Sequence, residues 1–145
     1  MIKNYNYNDY KTVIVLSSKL EPKVAMNVVG HLSISIGAYT DNKLLMGQTE
    51  ITDRDGNIHI GISRYPVIAT KVKPGKLQNL VQIIKENSEL LVIDYPEEML
   101  TTGHDSELVE AIEKKTNSDI NYLGIAVFGK TDVVNQFTGK FTLWS

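Results

Sequence analysis

Short apolar runs alternate along the chain with longer segments in which apolar residues recur at helical spacing. The run TVIVLSS (12–18) is continuous and rich in β-branched residues, which predicts a buried strand. In residues 21–39 the apolar positions recur every three or four residues, and Pro22 suits the first turn of a helix, where its missing N–H costs nothing. We therefore predict a strand followed by a helix that ends at Gly37.

The middle of the chain has a different pattern. Residues 44–65 alternate apolar and polar positions on both sides of a turn at Asp55-Gly56, and glycine can supply the positive φ that a tight hairpin turn requires. A further apolar run predicts a strand over residues 66–72. Helical spacing returns over residues 73–87 and predicts a second helix.

The last third of the chain begins with the apolar run 90–93, which predicts a strand buried on both faces. Asp105 or Ser106 can cap a helix after it. The remaining predicted elements are a strand over 120–129, a short turn or helix over 130–137 and a closing strand over 140–145.

Alternating strands and helices predict the α/β class, with parallel strands joined by crossover helices. We expect a three-layer α/β/α sandwich with a mixed, mostly parallel sheet and a β-hairpin insertion. Residues 1–10 lack a clear period and read as a loose lead-in, and residues 11–145 read as a single domain.

Composition narrows the possible partners and location. The net charge is −2 and the 15 Lys and Arg residues form no dense run, which argues against nucleic-acid binding; the nearest approach to a patch is Lys71, Lys73 and Lys76. No apolar stretch reaches the ~20 residues of a membrane span. There is no cysteine and no apolar signal segment, so we expect a cytoplasmic protein without thiolate or cysteine–zinc chemistry.

The segment LLVIDYPEEMLTTGHD (90–105) carries the candidate chemistry, because an apolar strand there leads directly into several titratable groups. Ligands of open α/β sheets bind beyond the carboxyl ends of the strands. The start of the first helix should lie at the same edge, and its Asn27, His31 and Ser35 form a polar stripe. The alternative is that these groups are helix caps and solvent-facing side chains. No cofactor motif and no metal-ligand spacing is present, so we predict neither cofactor nor metal.

Three ordered segments resemble type II peptidyl-tRNA hydrolases. KVAMN (23–27) is similar to the opening of their first helix, VIDYPEEMLTTG (92–103) to the strand end that carries their aspartate, and residues 122–144 to their closing segment. MNVVGHLSISIGAY (26–39) and TGKFTLW (138–144) resemble more closely a bacterial family, the domain of unknown function numbered 2000. That resemblance covers nearly the whole chain. It implies a peptidyl-tRNA hydrolase II-like fold and a homodimer, and it supplies no activity.

The resemblance also implies a set of site residues. The hydrolases' lysine, glutamine and aspartate correspond to Lys23, Asn27 and Asp94, whereas Glu98 stands where they have a catalytic threonine and Glu97 where they have an arginine. Two carboxylates in these places reverse the local charge and would repel a tRNA terminus. The candidate catalytic residues are therefore Lys23, Asn27, Asp94 and Glu98, and the candidate ligand contacts are His31, Thr102 and His104.

Three functional hypotheses remain open. The first is a cleft that binds or hydrolyses a small molecule or peptide, and as an enzyme it would cleave an ester or amide bond. The second is peptidyl-tRNA hydrolase activity. The third is a dimeric interaction module without catalysis, paired through the hairpin at 44–65, where Ile58, Ile60 and Ile62 alternate with other residues.

Overall fold

The computed structural model describes residues 4–145, so residues 1–3 of the predicted lead-in lie outside the described part of the chain. Strands and helices alternate along it. The strands are β1 (Tyr10–Ser17), β2 (Glu50–Thr52), β3 (Ile58–Ile60), β4 (Val67–Val72), β5 (Leu91–Pro96), β6 (Tyr122–Lys130) and β7 (Thr142–Leu143). The helices are α1 (Pro22–Tyr39), α2 (Asn42–Leu45), α3 (Pro74–Ile84), α4 (Glu98–Thr101), α5 (Asp105–Glu113) and α6 (Thr131–Thr138), with a 3₁₀ turn at Asn117–Asp119.

Five of these strands form one mixed sheet in the order β5-β6-β1-β4-β7. Within this sheet only β1 and β4 are a parallel pair, in register from Thr12–Val67 to Ser17–Val72, and each other neighbouring pair is antiparallel. The prediction of a mostly parallel sheet is therefore wrong. A helical connection can return the chain to either end of a sheet, so the alternation of elements does not reveal strand direction.

Helices cover both faces of this sheet and make three layers. Alternation along β1 sends Val13 and Val15 into a core with α3 and α6, and sends Ile14 and Leu16 into a core with α1. The α1 residues in the second core are Ala25, Val28, Leu32 and Ile36. The predicted arrangement, with helices on both faces of one sheet, is therefore confirmed.

Two local predictions need correction. Helix α1 continues through Gly37 to Tyr39, and the Thr40 hydroxyl donates to the Ile36 carbonyl at its end. Helix α5 has His104 at its N-cap with no side-chain cap, and Glu107 instead accepts a 2.9 Å hydrogen bond from the Gly103 N–H. A glycine costs a helix about 1 kcal/mol relative to alanine, which the packing of the helix can offset, so it does not have to end the helix.

The edge position of β5 corrects a third prediction. Leu91, Val92 and Ile93 are only half-buried, because the strand has a neighbour on one side alone. Both faces of the strand still contact a core, with Val92 on one side and Leu91 and Ile93 on the other, so the predicted burial on both faces is confirmed only in part. An apolar run signals contact with a core and does not reveal how many strands flank it.

The hairpin insertion is confirmed as a separate two-stranded sheet of β2 and β3, with Gly56 in its turn at φ 89°. Helix α2, which the sequence analysis did not predict, lies just before it. The Arg64 side chain donates to the carbonyls of Leu44 and Lys43, at 2.7 and 3.0 Å, and so ties the base of the hairpin to α2. No helix in the described residues is long and apolar enough to cross a bilayer.

Candidate functional site

The first half of α1 contacts the end of β5 through Tyr95. The Tyr95 hydroxyl donates a 3.3 Å hydrogen bond to the Asn27 side-chain oxygen, and the His31 ring lies 6.0 Å from the Tyr95 ring, centroid to centroid. Tyr95 is buried in the core beneath α1, and this burial raises the pKa of its hydroxyl. The two predicted segments are thus neighbours, but the residue that joins them is Tyr95.

Asp94 points to the opposite face of the sheet, because successive side chains of a strand alternate between faces. Its carboxylate forms an ion pair with Lys85, the residue that ends α3. Lys23 lies exposed at the start of α1, where its ion-pair partner is Glu21 at 3.7 Å. The structure therefore does not bring Lys23 or Asn27 together with Asp94 in one pocket.

Glu98 is a buried carboxylate, only 6% exposed, at the start of the short helix α4. Its Oε1 forms an ion pair with the Lys115 ammonium, and its Oε2 has no hydrogen-bond partner within residues 4–145. Burial raises the pKa of this carboxyl, but the hydrogen bond and positive charge of Lys115 outweigh burial and hold the pKa below its usual value. Glu98 is therefore held ionised.

The negative charges of Asp94 and Glu98 both act on the hydroxyl of Tyr122. Burial raises the pKa of the Tyr122 hydroxyl, and the negative charges of Asp94 and then Glu98 raise it further, against an opposite effect of Lys85. Its hydroxyl donates to the Asn117 side-chain oxygen, and the Asn117 amide nitrogen is buried without a partner in the described chain. Two of the four predicted catalytic residues thus share one polar cluster, in which each carboxylate already has a lysine partner.

Thr102 and His104 make local contacts within their own segment. The Thr102 hydroxyl donates a 2.8 Å hydrogen bond to the Glu98 carbonyl, and His104 is an exposed N-cap residue. The ligand contacts of His31, Thr102 and His104, like the catalytic roles above, stay predictions. No group of three or more histidine or acidic side chains in the described residues could hold a metal ion.

The carboxyl ends of the parallel strands β1 and β4 border a cavity of about 410 Å³ that the predicted residues do not line. The Ser18 N–H donates a 2.8 Å hydrogen bond to the Val72 carbonyl at its floor. We call this cavity the lysine pocket. Its lining residues are Ser18, Lys71, Val72, Lys73, Lys76, Lys140, Phe141 and Thr142.

The lysine pocket is strongly electropositive. Its four lysines form no ion pair with any residue of the described chain, and no acidic residue lines the cavity. Helix α3 also begins there, with Lys73 at its N-cap, no capping side chain and no acid in its first turn. The free N–H groups of that turn add the positive end of the helix dipole to the lysine charges.

Sequence reasoning found three of these lysines as a weak patch and missed Lys140. The strand β7 pairs with β4 and puts Thr142 opposite Lys71, which brings the preceding Lys140 to the pocket. This pairing joins two segments that are far apart in the chain. A lysine just before a short closing strand carries no local signal of that kind.

A second cavity, of about 400 Å³, lies near the other end of the sheet. Tyr10, Leu91 and Phe128 from the strands and Tyr39 from the end of α1 contribute to its lining. Its charged lining residues are of mixed sign, Asp41, Glu89 and Lys130. It therefore shows no comparable preference for one ligand charge.

Comparison with known proteins gives a family and no activity. The family described as "Protein of unknown function (DUF2000)" matches residues 10–145. A solved structure of the protein of unknown function Atu0240 from Agrobacterium tumefaciens strain C58 is similar, with a TM-score of 0.81 and 23% identity, covering 94% of this chain and 98% of that one. No curated protein sequence matches significantly. The chain belongs to the DUF2000 family, whose function is unknown.

Proposed function

We propose that residues 11–145 act as one cytoplasmic domain that binds a small anionic ligand, bearing a phosphate or carboxylate group, in the lysine pocket. The observation that supports this is that four lysines, none of them in an ion pair within the described residues, line one cavity of about 410 Å³ at the start of a helix. The four lysine charges repel one another when they lie close together. An anion that binds among them reduces this repulsion and is itself attracted to each lysine.

The chemistry of the lining suits a phosphate or carboxylate head. Lysine ammonium groups bind such anions as mobile point charges. The N–H groups in the first turn of α3 can donate to the same oxygens, and such anions at a helix start gain about 0.3–1 kcal/mol from the dipole. The whole chain carries a net charge of −2, so the local positive charge of the pocket opposes the overall sign.

Titration of the protein with pyrophosphate tests this proposal. We expect amide chemical shifts to change at Ser18, Lys73 and Lys76, with binding that weakens as salt rises. Lys73→Gln should raise the dissociation constant about tenfold, whereas Lys114→Gln, at an exposed lysine of α5's end, should leave it unchanged. Equal effects of the two substitutions, or shifts scattered over the whole surface, would overturn the proposal.

Self-association through the hairpin is the second candidate function, supported by its exposed isoleucines. Ile58, Ile60 and Ile62 are 61, 77 and 79% exposed, and a two-stranded hairpin is marginally stable alone in water. Pairing of the hairpin edge with that of a second copy would bury these side chains in a homodimer. Light scattering should show a dimer that Ile60→Asn dissociates; a wild-type monomer at high concentration would rule this out.

Hydrolysis of an ester or amide, including peptidyl-tRNA, has weaker support. It would rest on the polar cluster around Tyr122, where the unpartnered Oε2 of Glu98 could accept a proton from a bound water. Lys85 already neutralises Asp94, and Lys115 already neutralises Glu98. Lys23 forms its ion pair with Glu21 and with neither of these carboxylates. We therefore favour anion binding.

A further inference from the structure

We infer that the anion bound by the lysine pocket carries a single apolar chain, as an alkyl phosphate or a fatty acid does. This inference rests on the proposed function and narrows its ligand class. A cavity of about 510 Å³ adjoins the lysine pocket and shares Lys76, Lys140 and Phe141 with it. We call it the apolar groove.

The apolar groove lies between α3 and the end of α6. Leu80 and Ile83 of α3 form one side, and Phe137 and Phe141 form the other. Ile83 is 58% exposed, so it leaves apolar surface open to a ligand in the groove. Apart from the two shared lysines, the rest of the lining is uncharged and consists of the amides Asn79, Asn135 and Gln136 with Gly139, so no charged group faces the apolar side chains.

The border between the two cavities orients the ligand. The Lys76 ammonium lies 5.0 Å from the centre of the Phe141 ring, so a cation and an aromatic face are adjacent at the junction. An anionic head among the lysines would leave its chain to run past Phe141 towards Ile83. The charge is thus confined to one end of the combined cavity, which matches a molecule with one anionic head and one apolar tail.

The concave shape favours a single molecule over a membrane surface. Two adjoining cavities of about 410 and 510 Å³ are each within the size range of small-molecule sites. The expected occupant is therefore one amphiphile taken from solution.

The decisive experiment compares ligands that differ only in head or tail. Octyl phosphate, below its micellar concentration, is titrated beside methyl phosphate and the neutral octyl glucoside. Each methylene buried in the groove should tighten binding roughly fourfold, so burial of four gives octyl phosphate an advantage over methyl phosphate of more than about 100-fold. Octyl glucoside should bind weakly because it lacks the charged head.

Matched variants separate head from tail. Ile83→Asn should reduce the octyl phosphate affinity about tenfold and leave methyl phosphate unaffected, whereas Lys73→Gln should weaken both. Ile34→Asn is the control, since Ile34 is 74% exposed on α1, outside the groove.

The outcomes distinguish this inference from the proposal beneath it. Equal affinities for octyl and methyl phosphate would overturn the inference that the ligand carries an apolar chain. The proposal of anion binding would still stand. Octyl glucoside binding as tightly as octyl phosphate would overturn the need for a charged head. If neither phosphate binds, the lysine pocket itself fails as a site. Binding to vesicles containing anionic phospholipid, without binding of octyl phosphate, would overturn the single-molecule ligand.

Discussion

Tyr95 of β5 donates a 3.3 Å hydrogen bond from its hydroxyl to Asn27 of α1, and its ring lies in the core on the side of the sheet that α1 covers. Because strand side chains alternate, Asp94 then faces α3, where it pairs with Lys85. The predicted catalytic set is divided by the sheet for this reason. The lysine pocket emerges instead, where the strands β1 and β4 end.

The Tyr95–Asn27 contact can be measured by removing one hydroxyl. Tyr95→Phe keeps the buried ring and loses the hydrogen bond, so we expect a loss of about 1 kcal/mol in the free energy of unfolding. Tyr39→Phe is the matched control, because Tyr39 is 74% exposed. Urea denaturation in which the two variants lose the same stability would contradict a structural role for the contact.

The approach of α1 to β6 requires glycine at position 124. A Cβ there would lie 2.9 Å from Val28 Cγ1 and 3.1 Å from Leu16 Cδ2, both buried. We expect Gly124→Ala to destabilise the fold by about 1–3 kcal/mol, since an overpacked core must shift. Adding Val28→Ala should recover part of that loss in thermal unfolding.

Gly30 on the same helix is the control for that substitution. A Cβ at position 30 meets nothing within 4 Å. Gly30→Ala should therefore stabilise the protein by about 0.5–1 kcal/mol through helix propensity. Destabilisation by both alanine substitutions would show that close packing at Gly124 is not the cause.

The ion pair between the buried Glu98 and the exposed Lys115 should contribute to stability in a pH-dependent way. Glu98→Gln removes the charge, and we expect a loss of about 2 kcal/mol at neutral pH. The pKa of Glu98 is lowered in the folded protein, so the stabilisation is present above its unfolded value of 4.5 and is lost as the pH falls through the folded value.

Denaturation at several pH values checks this. Glu98→Gln should lose the part of the acid dependence that Glu98 contributes, so its stability should fall less on acidification than that of the wild type. Glu97→Gln is the control, because Glu97 is an exposed neighbour whose carboxylate accepts a 3.2 Å hydrogen bond from the Asn121 side chain. If Glu98→Gln had the same pH profile as the wild type, ionised Glu98 would not be a source of the acid-dependent stability.

The hairpin turn should depend on an ionised Asp53. Hydrogen bonds from the Asn57 side chain and backbone, then from His59, lower the pKa of Asp53 to about 2. A depressed pKa stabilises the folded turn above the unfolded value of 3.8, and this stabilisation is lost as the pH falls towards 2. Amide chemical shifts of Asp55 and Asn57 should titrate with a midpoint near 2; a midpoint of 3.8 would disprove it.

The local elements of this protein could be predicted from its sequence. Pro22 starts α1, the period of its apolar residues defines its buried face, and Gly56 makes the hairpin turn. Each of these depends on contacts within a few residues, so the chain encodes them locally. The α/β class and the layering followed from the same patterns. The resemblance to the DUF2000 family, drawn over nearly the whole chain, agrees with the family match over residues 10–145.

Tertiary structure alone decided the strand directions, the edge position of β5 and the face on which Asp94 lies. It also decided that Lys140 joins Lys71, Lys73 and Lys76 around one cavity. A strand pattern shows that side chains alternate, but the partner that each strand pairs with selects which face is which. That pairing comes from contacts between residues far apart in the chain, and it turned a scattered set of lysines into a candidate site.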